Sequence, residues 1–73
     1  MTAEVRKALD MLQLERAKYA YLELREVYEE AAGGIDGARQ YQEYWAICSN
    51  VQHINAEIRQ RKEVQYGGND GNA

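Results

Sequence analysis

The chain has 73 residues, a net charge of −3, one cysteine, one histidine and no proline. That length allows one small domain, and Cys48 alone excludes an internal disulfide, just as Cys48 with His53 excludes a His/Cys metal cluster. The acidic balance argues against passive electrostatic attachment to DNA or to an anionic membrane.

No apolar run approaches the roughly 18 residues of a membrane span. Met1-Thr2-Ala3-Glu4 lacks the basic start and apolar centre of a signal peptide. A cytoplasmic setting is therefore expected, that of the host cell if a phage carries the gene. Chains below roughly 70–80 residues rarely draw more than about 3–5 kcal/mol from one core. With no disulfide or metal, burial against a second molecule is the expected source of further stability.

Residues that lose little rotamer freedom in a helix dominate, namely Glu, Gln, Ala, Leu and Arg. The glycines fall into two clusters, Gly33-Gly34 with Gly37, and Gly67-Gly68 with Gly71. This division predicts an all-α domain over residues 1–66. A first helix spans about residues 3–32, a turn covers 33–36, a second helix spans about 37–65, and 67–73 form a flexible tail. Thr2 suits the N-cap of the first helix, Gly33 and Gly34 its end, and Asp36 the N-cap of the second. Arg59, Arg61 and Lys62 lie near the second helix's end, where cations complement the dipole. So short a turn forces the two helices antiparallel, as a hairpin.

Leu14, Ala17, Tyr21, Leu24, Tyr28 and Ala31 follow steps of three and four, the spacing of a coiled-coil seam. Tyr44, Ile47, Val51, Ile54 and Ile58 do the same on the second helix, and Tyr41, Trp45 and Cys48 run beside them. A further set, Val5, Ala8, Leu9, Leu12 and Tyr19, is displaced around the first helix. Two helices alone bury one stripe each. The wider arc predicts a homodimeric four-helix bundle, with Leu14, Ala17, Tyr21, Leu24, Ile47, Cys48, Val51, Ile54 and Ile58 as core and dimer residues.

No catalytic constellation is visible. Cys48 lies on an apolar stripe without the base and electropositive surroundings that a reactive thiol needs, and His53 has no nucleophile beside it. Gly33, Gly34 and Gly37 lack the preceding strand and following lysine of a phosphate loop, and turn chemistry accounts for them. The chain is expected to be no enzyme and to take no cofactor and no metal.

The strongest asymmetry lies at the closed end of the hairpin. Glu23, Glu26, Glu29, Glu30, Asp36 and Glu43 gather there against Arg25 and Arg39. Several of these acids sit toward the C-terminus of the first helix, where its dipole disfavours them. Tyr28, Tyr41, Tyr44 and Trp45 belong to the same end, and Tyr and Trp are frequent interface anchors. Two readings stay open. In one the aromatics are core and the acids a solvated face. In the other, Glu23, Glu26, Tyr28, Glu29, Glu30, Tyr41, Tyr44 and Trp45 grip a basic surface on a protein partner.

Two stretches resemble the plasmid Rop (Rom) family of dimeric helical hairpins that bind paired RNA loops. They are Met1-Thr2 with Arg6 and Ala8-Leu9-Asp10-Met11, and Ile47-Cys48, Val51, Glu57-Ile58 with Tyr66-Gly67. Together they span roughly half the chain, with ten extra residues between them. The resemblance implies a hairpin dimer and places Asp10, Leu14, Lys18 and Arg25 where that family contacts RNA. Asp10 stands where an amide is found, and Leu14 where an aromatic stacks, so the likeness speaks for the fold more than for RNA.

The favoured expectation is a homodimeric regulator or inhibitor acting through protein–protein contact, in the style of a phage or plasmid accessory protein. A Rop-like RNA-binding regulator is the alternative, and a structural assembly subunit is a third.

Overall fold

The computed structural model describes residues 1–70, with side-chain surroundings given through Val64. Four helices follow in order: α1 (Ala3–Ala8), α2 (Met11–Ala31), α3 (Ile35–Ala38) and α4 (Gln42–Asp70). No strand occurs among the described residues.

The first helix is not continuous over 3–32. It breaks at Leu9 and Asp10, whose ψ angles of 143° and 174° are extended. The cause is local chemistry. Asp10 accepts from the backbone of Gln13 at 2.7 Å, and the Gln13 side chain accepts from the Asp10 backbone at 2.9 Å. This reciprocal capping box starts α2 afresh and satisfies two of its free amides. Thr2 caps α1 in the same way, accepting from Val5 at 3.2 Å.

The break lays α1 beside α4. The Met1 ammonium donates to Asn50 Oδ1 at 3.2 Å, and Arg61 donates to the carbonyls of Arg6 and Lys7 at 3.3 and 3.2 Å. Arg61 thus supplies a cation to the last carbonyls of α1, where the dipole favours one. It is fixed from the other side by Glu57 at 2.9 Å. Arg61 does not act at the end of its own helix, because α4 continues to Asp70. The tail expected over 67–73 is helical through residue 70, and 71–73 lie outside the described residues.

The second helix begins at Gln42, not at 37. Gly33 closes α2 with φ +78° and Gly34 follows at φ +135°. Their amides return to the carbonyls of Glu30 and Glu29 at 3.3 and 2.8 Å, the paired bonds of a Schellman end. The single turn of α3 then folds onto the end of α2 so closely that a Cβ on Gly37 would collide with the Ala32 carbonyl oxygen. Asp36 caps nothing. It sits exposed in the first turn of α3, 3.9 Å from Arg39.

α2 packs against α4, and α3 against α2, around a small core of Leu14, Ala38, Tyr44, Ile47, Val51 and Ile54. The α4 members follow steps of three and four, so one face of that helix is buried along its first half. The molecule is a rod of 51 × 23 × 17 Å. No described helix is long and apolar enough to cross a membrane.

Candidate partner-binding surface

The structure separates the aromatic and acidic residues of the α2–α3–α4 end into two groups. Tyr44 and Glu29 face inward. Tyr44 is buried and its hydroxyl donates to Glu29 Oε2 at 2.5 Å. That bond, with burial and the nearby Cys48 thiol, pushes the Tyr44 phenol up to about 12 from 10.0. A phenol that donates to a carboxylate resists losing its proton, because ionisation would set two negative charges together. Glu29 has a quarter of its side chain exposed and also lies 3.8 Å from Arg25. Its placement among solvent-facing acids is therefore corrected: the carboxylate is occupied by fold contacts. Tyr44, expected as a partner contact, is core for the same reason.

The outward group consists of Tyr41, Trp45, Glu23, Glu26 and Glu30. Tyr41 and Trp45 are 52% and 54% exposed. The Trp45 indole N–H donates to the Arg39 carbonyl at 2.7 Å and its ring stands nearly at right angles to that of Tyr44, with centroids 6.5 Å apart, which fixes the side chain while half of it stays exposed. Tyr41 stands edge-on to half-buried Tyr28, with ring centroids 6.4 Å apart. Two exposed aromatics are thus held rigid by contacts that do not bury them. Rigid aromatics lose little entropy on binding, which is what makes such side chains effective anchors.

Glu23, Glu26 and Glu30 are exposed, and no ion pair engages them among the described residues. Two shallow depressions lie between them. One of about 450 Å³ is lined by Tyr19, Leu22, Glu23, Arg25, Glu26 and Glu29. The other, about 410 Å³, is lined by Glu26, Glu29, Glu30, Gly33, Gly34 and Ile35. Ile35 adds an exposed aliphatic side chain to the second. In the second, three carboxylates beside the Ile35 side chain suit a cationic side chain whose methylenes pack while its head group pairs.

The residues expected in the core and dimer seam divide as well. Leu14, Ile47, Val51 and Ile54 are buried, whereas Ala17, Tyr21, Cys48 and Ile58 are half-buried. Leu24 is 43% exposed in the single chain, so it is not part of the core between α2 and α4. Val5, Ala8, Leu12 and Tyr19 are exposed and Leu9 is half-buried. Ala38 is fully buried and absent from the sequence expectation. A lone alanine after Gly37 gives no periodic signal.

Of the positions marked by the Rop resemblance, Asp10 is a helix cap and Leu14 is fully buried. Lys18 and Arg25 are half-buried, and the Lys18 ammonium lies 5.8 Å from the Tyr19 ring centroid. His53 is exposed, and no group of three potential metal ligands occurs among the described residues. No protein-family model, curated protein or solved structure matches the chain.

Proposed function

We propose that this chain is a non-enzymatic helical hairpin that pairs with a second copy as a four-helix bundle and regulates a protein partner by binding it. The carrying observation is the outward group at one end. Tyr41 and Trp45 are more than half exposed yet fixed by neighbours, beside three unpaired carboxylates on Glu23, Glu26 and Glu30. Such a patch matches a basic surface carrying lysine or arginine, with the aromatics supplying affinity and the acids orientation. The hairpin itself, α2 against α4, is supported by the Glu29–Tyr44 and Tyr28–Tyr41 contacts, which join the end of α2 to the start of α4. An accessory role in a phage or plasmid, acting in the cytoplasm of the host, remains part of this reading.

The test is affinity capture from an extract of the source cell, with and without nuclease. Wild-type protein should retain a basic protein partner, and nuclease should not release it. Trp45→Ala and Glu26→Lys should each lose it while circular dichroism stays helical. Retention of RNA that salt or nuclease removes, together with loss on Lys18→Glu/Arg25→Glu, would replace this reading with the RNA-binding one.

A further inference from the structure

α2 turns one face to α4 and leaves another face apolar and uncovered. At 3.6 residues per turn, Gln13, Ala17, Ala20, Leu24, Val27 and Ala31 fall on one stripe, in steps of 4, 3, 4, 3 and 4. Leu24 and Val27 are 43% and 57% exposed, Ala20, Ala31 and Gln13 are exposed, and Ala17 is half-buried. This stripe is distinct from the Leu14 side, which meets α4. Across an antiparallel pair its alanines would meet its two larger residues, so another helix can approach closely and interlock.

We propose that this stripe is where a second copy of the chain docks, α2 against α2 in antiparallel register, with Arg16 of each copy across from Glu30 of the other. The inference rests on the dimer reading above and goes further by assigning its face and its direction. Two observations select the occupant.

The first is charge. Arg16, Glu23 and Glu30 are all exposed and lie seven residues apart along one flank of the stripe. In an antiparallel pair like flanks meet, so layers Ala20–Leu24 and Ala17–Val27 bring Arg16 opposite Glu30 twice. Glu23 then falls near the two-fold axis, opposite itself, so that in the dimer Glu26 is the acid of the outward group left free for a basic partner. A parallel pair would set this flank against that of Tyr21 and Tyr28, and neither Glu23 nor Glu30 would meet a cation.

The second is area. The chain exposes 5502 Å², whereas an average folded monomer of its 8.4 kDa exposes about 4600 Å². The excess, about 900 Å², is close to the roughly 800 Å² that one partner contributes to a standard interface. The radius of gyration, 15.3 Å, exceeds the about 11 Å expected of a compact chain of this length. A second rod laid along the first would bury such an area, and it would bring the pair, at 15.3 Å or more, nearer the about 15 Å expected of twice the length.

Sedimentation of the wild-type chain, Leu24→Lys, Arg16→Glu and Arg16→Glu/Glu30→Arg tests this, with circular dichroism on each. Wild type should be a dimer, and Leu24→Lys a helical monomer. Arg16→Glu should raise the dissociation constant about tenfold, by turning two attractions into repulsions, and the double exchange should restore it. Glu23→Cys in a Cys48→Ala background should form an intermolecular disulfide on mild oxidation, because that position lies beside the axis only in the antiparallel pair. A monomeric wild type would overturn the dimer reading as a whole. A wild-type dimer that survives Leu24→Lys, or in which Arg16→Glu has no effect and Glu23→Cys stays reduced, would overturn this face and direction while leaving the dimer reading standing.

Discussion

The two long helices share a helix-forming composition and differ in how they use it. α4 buries Tyr44, Ile47, Val51 and Ile54, and spaces them so that one continuous face is covered. α2 buries Leu14 alone and carries Leu12, Tyr19, Leu24 and Val27 exposed. α2 is the richer in apolar residues, 12 of 21 against 11 of 29, and it spreads them around more of its circumference. Such a helix cannot be satisfied by one neighbour. Stability in the single chain therefore rests on α4 and on whatever element reaches it, while α2 keeps surface for another molecule.

If that contrast is right, truncations on the two sides of α2 should differ most. Ile54→Ala and Leu14→Ala each remove a fully buried aliphatic side chain. They should cost about 2–5 kcal/mol, a large part of the stability of so small a fold. Leu24→Ala and Val27→Ala should cost the isolated chain well under half as much. Urea unfolding at protein concentrations low enough to dissociate any dimer makes the comparison, and equal losses on the two sides would break it.

A smaller effect is expected where α3 touches α2. Gly37→Ala sets a methyl group against the Ala32 carbonyl, a backbone atom that cannot swing aside. The turn must open, at about 1–3 kcal/mol. Thermal unfolding should show it, with Gly37→Ala melting below wild type. Below that again lies Asp10→Ala, which removes the α2 cap and should cost about 1 kcal/mol. Amide exchange at Leu12 and Gln13 should accelerate in that variant, and unchanged protection would mean that the break between α1 and α2 owes nothing to Asp10.

Much of this was legible in the residues, and the misses have physical causes. Helix content followed from composition, and the α4 face from the steps Tyr44–Ile47–Val51–Ile54, because burial on one side leaves a period. The break after Ala8 was missed because apolar residues at Val5, Leu9 and Leu12 continue the helical spacing across it, with no proline or glycine to interrupt. Its signal was nevertheless present as Asp10-x-x-Gln13, a capping-box pattern. α3 was missed because Asp36 after two glycines reads as an N-cap, whereas the close approach of Gly37 to Ala32 is a tertiary fact. At the candidate surface, Tyr44 and Trp45 are adjacent aromatics of equal appeal. Counting back three from Ile47 selects Tyr44 as the inward one and leaves Trp45 outside. Glu29 could not be told from its acidic neighbours, since only the fold places it against Tyr44. Val27 escaped notice because it continues neither of the two apolar sets read from the first helix.

The smallest effect at neutral pH should come from Tyr44→Phe, and it sharpens the contrast between the inward and outward groups. The ring stays and its packing with it, while Glu29 keeps Arg25 and solvent. The loss should emerge as a pH dependence. In the folded chain the phenol is pushed up to about 12, above its ordinary 10.0, chiefly by donating to Glu29. Below pH 10 it is protonated in both folded and unfolded chains, so its contribution to stability is fully present. Between pH 10 and 12 the unfolded chain releases this proton and the folded chain holds it, so the contribution falls as pH rises. The stability difference between wild type and Tyr44→Phe should accordingly shrink across that interval, and tyrosinate absorbance should lose a component titrating near pH 12. Tyr41→Phe, altering an exposed ring, should reproduce neither change. A difference between wild type and Tyr44→Phe that stayed constant from pH 9 to 12 would show that the hydroxyl is not held by Glu29, and Glu29 would return to the acids available for a partner.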